Sequence, residues 1–147
     1  MKFRLALALI ILGIAGCAAH SSDSPAARPP TLADRLLGSE WRLEDLAGAG
    51  VLDRGEATIV FPEPGRVAGS ASCNRFVGTA DIGDDNALRI GVLATSRRKC
   101  KSAAASKQEA KYLKALGAAE RAEIDGPKLL IYVSGFDKPL RYGRKNP

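Results

Sequence analysis

Arg66-Val67-Ala68-Gly69-Ser70-Ala71-Ser72-Cys73-Asn74-Arg75-Phe76-Val77-Gly78-Thr79-Ala80-Asp81-Ile82 is the stretch on which the fold turns. Arg66 to Ser72 reads as a strand of small residues and Phe76 to Ile82 as a second, with Cys73-Asn74-Arg75 between them. Working outward, Thr58-Ile59-Val60-Phe61 is β-branched and aromatic and stops at Pro62, and Pro64-Gly65 supplies the turn into Arg66. Upstream, Trp41-Arg42-Leu43-Glu44 alternates apolar and polar residues. Downstream, the loop Gly83-Asp84-Asp85-Asn86 leads into Ala87 to Val92, where Leu88, Ile90 and Val92 share one face by the period of two. Leu129 to Val133 and Leu140 to Tyr142 read as closing strands.

One segment reads as a helix. Ser106-Lys107-Gln108-Glu109 fits a capping box, in which the serine oxygen takes the amide of Glu109 and the glutamate returns to that of Ser106. Ala110, Leu113 and Leu116 then form the apolar stripe, and Gly117 suits the stop. That stripe needs a surface, and only the strands offer one. The expected fold is α+β, mainly β: an antiparallel, strongly bent sheet or partial β-barrel with one packed helix over an opening.

The chain starts differently. Lys2 and Arg4 precede a ten-residue apolar run from Leu5 to Ile14, followed by Ala15-Gly16-Cys17. A charged start, a short apolar middle and small residues at the cut are the layout of a secretory signal, and the run is short of the roughly 20 residues that span a bilayer. Its Ile14-Ala15-Gly16-Cys17 ending resembles the lipobox of bacterial lipoproteins. Residues 1–16 are therefore expected to be a lipoprotein signal peptide, with Cys17 the site of lipid attachment, carrying diacylglyceryl and palmitate-type chains. Several chains together make a lasting membrane anchor where one does not. Residues 17–31, with three prolines and no large apolar side chain, are expected to be a flexible tether. The folded domain is expected to be 32–147. Ala18, rather than aspartate, after the anchor cysteine resembles the pattern sorted to the outer membrane, facing the periplasm.

Two cysteines remain, Cys73 and Cys100, in a chain bound for an oxidising space. A disulfide between them, two inert thiols, and a reactive Cys100 beside Arg97, Arg98, Lys99 and Lys101 are the three readings. The third lacks a base, because the only histidine is His20 in the tether. The same shortage removes a serine triad. The cysteines lack Cys-x-x-Cys spacing, the run Asp81-Ile82-Gly83-Asp84-Asp85-Asn86 lacks the spaced ligands of a calcium loop, and no phosphate-cradling glycine pattern occurs. No catalytic residue, metal site or cofactor is expected, and the chain is not expected to be an enzyme. The sequence has 22 basic against 16 acidic residues, and the signal takes Lys2 and Arg4, leaving +4. So mild a surplus with few aromatics argues against nucleic acid. The runs Arg97 to Lys101 and Arg141, Arg144 and Lys145 can face anionic lipid headgroups or be a solvated loop and tail.

In its order of residues the chain resembles the META domain of HslJ-like bacterial envelope proteins. The resemblance begins at Trp41-Arg42-Leu43 and Ile59-Val60-Phe61. It is most specific at Gly69-Ser70-Ala71-Ser72-Cys73-Asn74-Arg75-Phe76-Val77-Gly78, where Ser72 stands in place of the family's usual second glycine. Ser96-Arg97-Arg98-Lys99-Cys100 is similar to a threonine-arginine pair before a cysteine, with serine for threonine. Glu109 to Leu116 resembles the following helix. The resemblance implies an exported, often lipid-anchored protein linked to envelope stress, without an agreed enzymatic activity.

Asn74 has two readings, a turn residue bonding local amides or an amide presented to a ligand, and Arg97 is a second possible ligand contact. The expected function is a non-enzymatic lipid-anchored envelope protein, supporting envelope integrity or stress response through contacts with another envelope protein, its domain monomeric. The alternative is a binding module holding a small hydrophobic or anionic ligand in the bent sheet, using Arg89 or Arg97.

Overall fold

The computed structural model describes residues 28–52 and 56–145. The signal peptide, Cys17, His20 and most of the tether lie outside the described residues. In chain order the elements are α1 (Leu32–Leu36), β1 (Glu40–Leu46), β2 (Ala57–Val60), β3 (Arg66–Ala71), β4 (Arg75–Ile82), β5 (Leu88–Ile90), β6 (Ala94–Thr95), α2 (Ala103–Gly117), β7 (Ala119–Asp125), β8 (Lys128–Val133) and β9 (Leu140–Arg144). The strands pair in the order β5-β4-β3-β2-β1-β9-β8-β7, with β6 also on β4, and every strand pairing is antiparallel. The ends of this order approach each other: Ala87 bridges Arg121, and the Ala122 N–H donates to the Asn86 carbonyl at 2.9 Å. The result is a nearly closed barrel, mainly β, with two helices.

The hydrophobic alternation explains most of it. Buried side chains from every strand except β6 fill the interior, including Trp41, Ile59, Val67, Phe76, Leu88, Ala122, Ile131 and Tyr142. Gly69 is an interior position without a side chain; a Cβ there would strike the Thr58 carbonyl oxygen and come within 2.8 Å of the Phe76 ring. The aromatic ring occupies the space that glycine leaves.

Bulges bend the sheet. In β1 the buried residues run Trp41, Leu43, Leu46, a step of two and then of three, because the register against β9 shifts between Leu43 and Asp45. β7 does the same, burying Ala119 and Ala122 across a shift between Ala119 and Arg121. That interruption hides β7 from a search for alternation, and the sequence reading does not contain it.

Three expectations are corrected. Val92 does not share the buried face of Leu88 and Ile90; it is 95% exposed. β5 ends at Ile90, opposite Ala80, and pairing with β4 resumes only at Ala94, opposite Val77. One residue more is spent on that side than on β4, and the phase is lost. The main helix starts at Ala103, a turn before the expected cap. Ser102 is its N-cap, its hydroxyl accepting from the Ala105 N–H at 3.1 Å, and the buried face is Gln108, Tyr112, Ala115 and Leu116, with Ala110 exposed. A second helix, α1, accompanies the one expected. The reciprocal capping box occurs there, with the Thr31 hydroxyl accepting from the Asp34 N–H and the Asp34 carboxylate accepting from the Thr31 N–H at 2.9 Å.

The helices serve opposite ends. α1 packs Leu32 and Leu36 under the end holding the β2–β3 turn and the β7–β8 turn, and Gly38 donates to the Phe61 carbonyl there. α2 closes the other end, where the β1–β2 loop and the β3–β4 turn lie. Tyr112 enters the interior at that end, edge-on to Phe76 at 6.1 Å between centroids, its hydroxyl donating to the Thr58 carbonyl and accepting from Tyr142, each at 3.3 Å.

Candidate functional site

At the α2 end the chain reverses between β3 and β4 through Ser72, Cys73 and Asn74. Ser72 has φ +87°, a region that costs any residue with a Cβ about 1 kcal/mol or more. Its hydroxyl accepts from the Gln108 amide at 2.6 Å, and Gln108 in turn accepts the Leu52 N–H at 2.7 Å. One helical side chain thereby ties the β1–β2 loop to the strained turn.

Glu109, the next residue, does not cap its own helix. Its Oε2 accepts the Asn74 N–H at 2.6 Å and the Cys73 N–H at 3.2 Å, and its Oε1 accepts from the Asn74 side-chain amide at 2.8 Å. Asn74, 6% exposed, spends its side chain on neighbouring segments. Its Oδ1 accepts from the Arg98 N–H at 2.7 Å and the Ser96 hydroxyl at 3.0 Å, while its Nδ2 also donates to the Arg98 carbonyl at 3.2 Å. Cys73 and Cys100 are joined, with Cα atoms 5.5 Å apart. Of the three readings of these cysteines, the disulfide is the one the structure contains.

Turn, loop and helix are thus joined in one knot of charge-assisted and neutral hydrogen bonds beside a disulfide. Arg97 lies exposed on the loop and Arg89 exposed on β5; neither joins the knot. Among the described residues, the one group with metal-ligand character is Cys73, Cys100 and Glu109, whose donor atoms lie within 4.8 Å of one another. Its sulfurs are bonded to each other and are not thiolates, so they offer a divalent ion little. The two buried phenols are no better placed as bases: burial pushes the Tyr112 and Tyr142 hydroxyls above their ordinary pKa, keeping them neutral.

A hollow of about 650 Å³ lies on the outer face of β1 to β4 rather than inside the barrel. It exists because β3 presents only the small side chains of Ala68 and Ser70 there, on either side of Gly69, while Val77 and Arg75 rise on one side and Lys145 on the other. Lys145 is held by Glu40 at 3.2 Å and Glu56 at 3.3 Å.

The META domain family model matches residues 34–145. The chain belongs to the META family. Among solved structures, the META domain here is similar to a protein from Burkholderia xenovorans determined by NMR, at 20% identity and a TM-score of 0.62, over 86% of this chain and 97% of that one. It is also similar to a DUF4847 family protein from Bacteroides vulgatus determined by crystallography, at 15% identity and a TM-score of 0.55, over 76% of this chain and 96% of that one. At such identities the likeness is one of fold. No curated protein matches significantly. The position where the family resemblance expects a glycine is Ser72, and its positive φ explains why a glycine suits it. Glu109 and Gln108, which hold this turn, were readable only as helix residues; nothing in their local pattern points 35 residues back.

Proposed function

We propose that this META-family chain is a lipid-anchored envelope protein, attached through Cys17 to the outer membrane and facing the periplasm, which acts by contact with an envelope protein partner and not by catalysis. The observation that carries this reading is how the polar groups of the α2 end are used. Asn74, Glu109, Gln108 and Ser96 are turned on backbone and on one another, holding a rigid surface and leaving no nucleophile beside a base. The Leu5 to Cys17 sequence supports the anchor. Incorporation of labelled palmitate into the wild type but not into Cys17→Ala is the expected result; equal labelling of the two would end the anchor reading. Crosslinking in intact cells should trap one defined partner, and repeated absence of any adduct would remove the contact role.

The outer hollow favours a second reading, a binding module for a small hydrophobic or anionic ligand. Such a ligand would lie against Ala68 and Val77 with Arg75 at its charged end, outside the filled barrel. A thermal shift produced by a fatty acid or amphiphilic drug, and lost in Arg75→Ala, is expected on that reading.

A further inference from the structure

Between Asn86 and Glu109 the chain holds six cations, Arg89, Arg97, Arg98, Lys99, Lys101 and Lys107, and no acidic residue. Elsewhere several cations are matched, Arg66 with Glu63 at 3.3 Å, Arg121 with Glu123 at 3.0 Å, Lys128 with Glu44 at 2.7 Å and Lys145 with two carboxylates, and acidic residues are interspersed with the rest. Arg97, Arg98, Lys99 and Lys101 are all exposed, and none joins an ion pair among the described residues. Repulsion should spread such a loop, yet the Cys73–Cys100 bond and the two hydrogen bonds between the Asn74 side chain and the Arg98 backbone fix it. A like-charged loop held in one shape has its ordering cost already met before an anion arrives.

The same segment carries exposed apolar side chains. It runs up the outside of the barrel from Gly91, whose N–H donates to the Thr79 carbonyl at 3.0 Å, through Ala94 and Thr95 on β4, to Cys100. Val92 is 95% exposed, and Val77, the partner of Ala94, is 47% exposed. An acidic protein surface would match the cations and leave Val92 in water. A bilayer interface takes both, with apolar groups entering the headgroup boundary and cations meeting phosphates.

We infer that segment 91–101 is a membrane-docking wall, in which Arg97, Arg98, Lys99 and Lys101 engage anionic phospholipid headgroups while Val92 enters the interface. The inference rests on the lipid-anchored reading only for which bilayer is met. Residues 18–31 extended span up to about 40 Å, which lets the barrel lie on this wall beside its own anchor.

The test is co-sedimentation of residues 28–147, which contain every described element and the whole core, with phosphatidylcholine vesicles with and without phosphatidylglycerol. Binding is expected only with phosphatidylglycerol. Replacing Arg97, Arg98, Lys99 and Lys101 by Gln should weaken it by up to about a thousandfold, and Val92→Ser by several-fold. The same charge change at Arg35, Arg66, Lys114 and Lys138 should leave most of the binding in place. Equal loss in the two quadruple variants, equal sedimentation with neutral vesicles, or no sedimentation with either would overturn the wall. Circular dichroism confirms that each variant is folded before it is scored. Because residues 28–147 lack Cys17, failure here leaves the anchor standing, and failure of palmitate labelling leaves the wall standing.

Discussion

At the α2 end the barrel is held by links between residues far apart in the chain: Cys73 to Cys100, Asn74 to Arg98 and Glu109, Leu52 to Gln108. At the α1 end most of the corresponding work is local, with Thr31 and Asp34 capping a helix of five residues and Ser39 bonding back to the Leu36 carbonyl at 2.6 Å, and one longer link from the Gly38 N–H to the Phe61 carbonyl at 2.8 Å. Local bonds form early and cost little chain entropy; long ones fix a surface only once the barrel around them exists. The α2 end is therefore the one whose outward face, the loop from Ser96 to Lys101, is rigid enough to serve as a recognition surface, while the α1 end works as a plug.

That contrast can be broken in a graded way. The largest effect should come from Cys73→Ser with Cys100→Ser, or from reductant, which opens a loop of separation 27 and is expected to cost about 3 kcal/mol; denaturant unfolding measures it, and a loss below ~1 kcal/mol would show that the bond does not govern this end. Glu109→Ala strands the Cys73 and Asn74 amides and should cost about 2 kcal/mol. Its cost should be smaller once the disulfide is gone, since the two pin the same turn. Ser72→Gly and Ser72→Ala both remove the hydroxyl, but only alanine keeps the strained φ; glycine should be the more stable by about 1 kcal/mol in thermal melting. The smallest effect belongs to the α1 end. Hydrogen bonds from Thr31, backbone first, hold the Asp34 carboxyl below its ordinary pKa. A depressed carboxylate adds stability that is present above the unfolded value and lost as pH falls through the folded one. Asp34→Asn should therefore lower stability slightly at neutral pH and flatten the acid limb of the stability profile, and a change at neutral pH as large as that of Glu109→Ala would erase the distinction between the ends.

The parts readable from sequence follow the same division. β2, β3, β4 and β8 obey the period of two or sit between proline and glycine signals, so local pattern suffices. β7 and the end of β1 carry bulges, which break that period where the barrel needs its bend. α1 escapes because Leu32-Ala33-Asp34-Arg35-Leu36 is too short to show helical periodicity, although Thr31-x-x-Asp34 is a cap signal. Ser106 to Glu109 misleads for the opposite reason. The motif is present, but Ser102 starts the helix a turn earlier and the carboxylate is drawn to Asn74 across the barrel end. Of the candidate site, the cysteine pair is legible from composition; Glu109 and Gln108 are not, because their partners are set by tertiary structure.

The pairing of the first strand with the last, Trp41 opposite Arg144, has a consequence for biogenesis. A chain synthesised from its N-terminus delivers β1 long before β9, so β1 waits with one edge unpaired until nearly the whole domain has emerged. Folding of this kind is slow because its closing contact spans almost the entire length, and the waiting edge is a template for wrong pairing. Loss of only the final strand would leave both β1 and β8 with bare edges, so a lesion near the C-terminus is expected to produce aggregation out of proportion to the few residues removed.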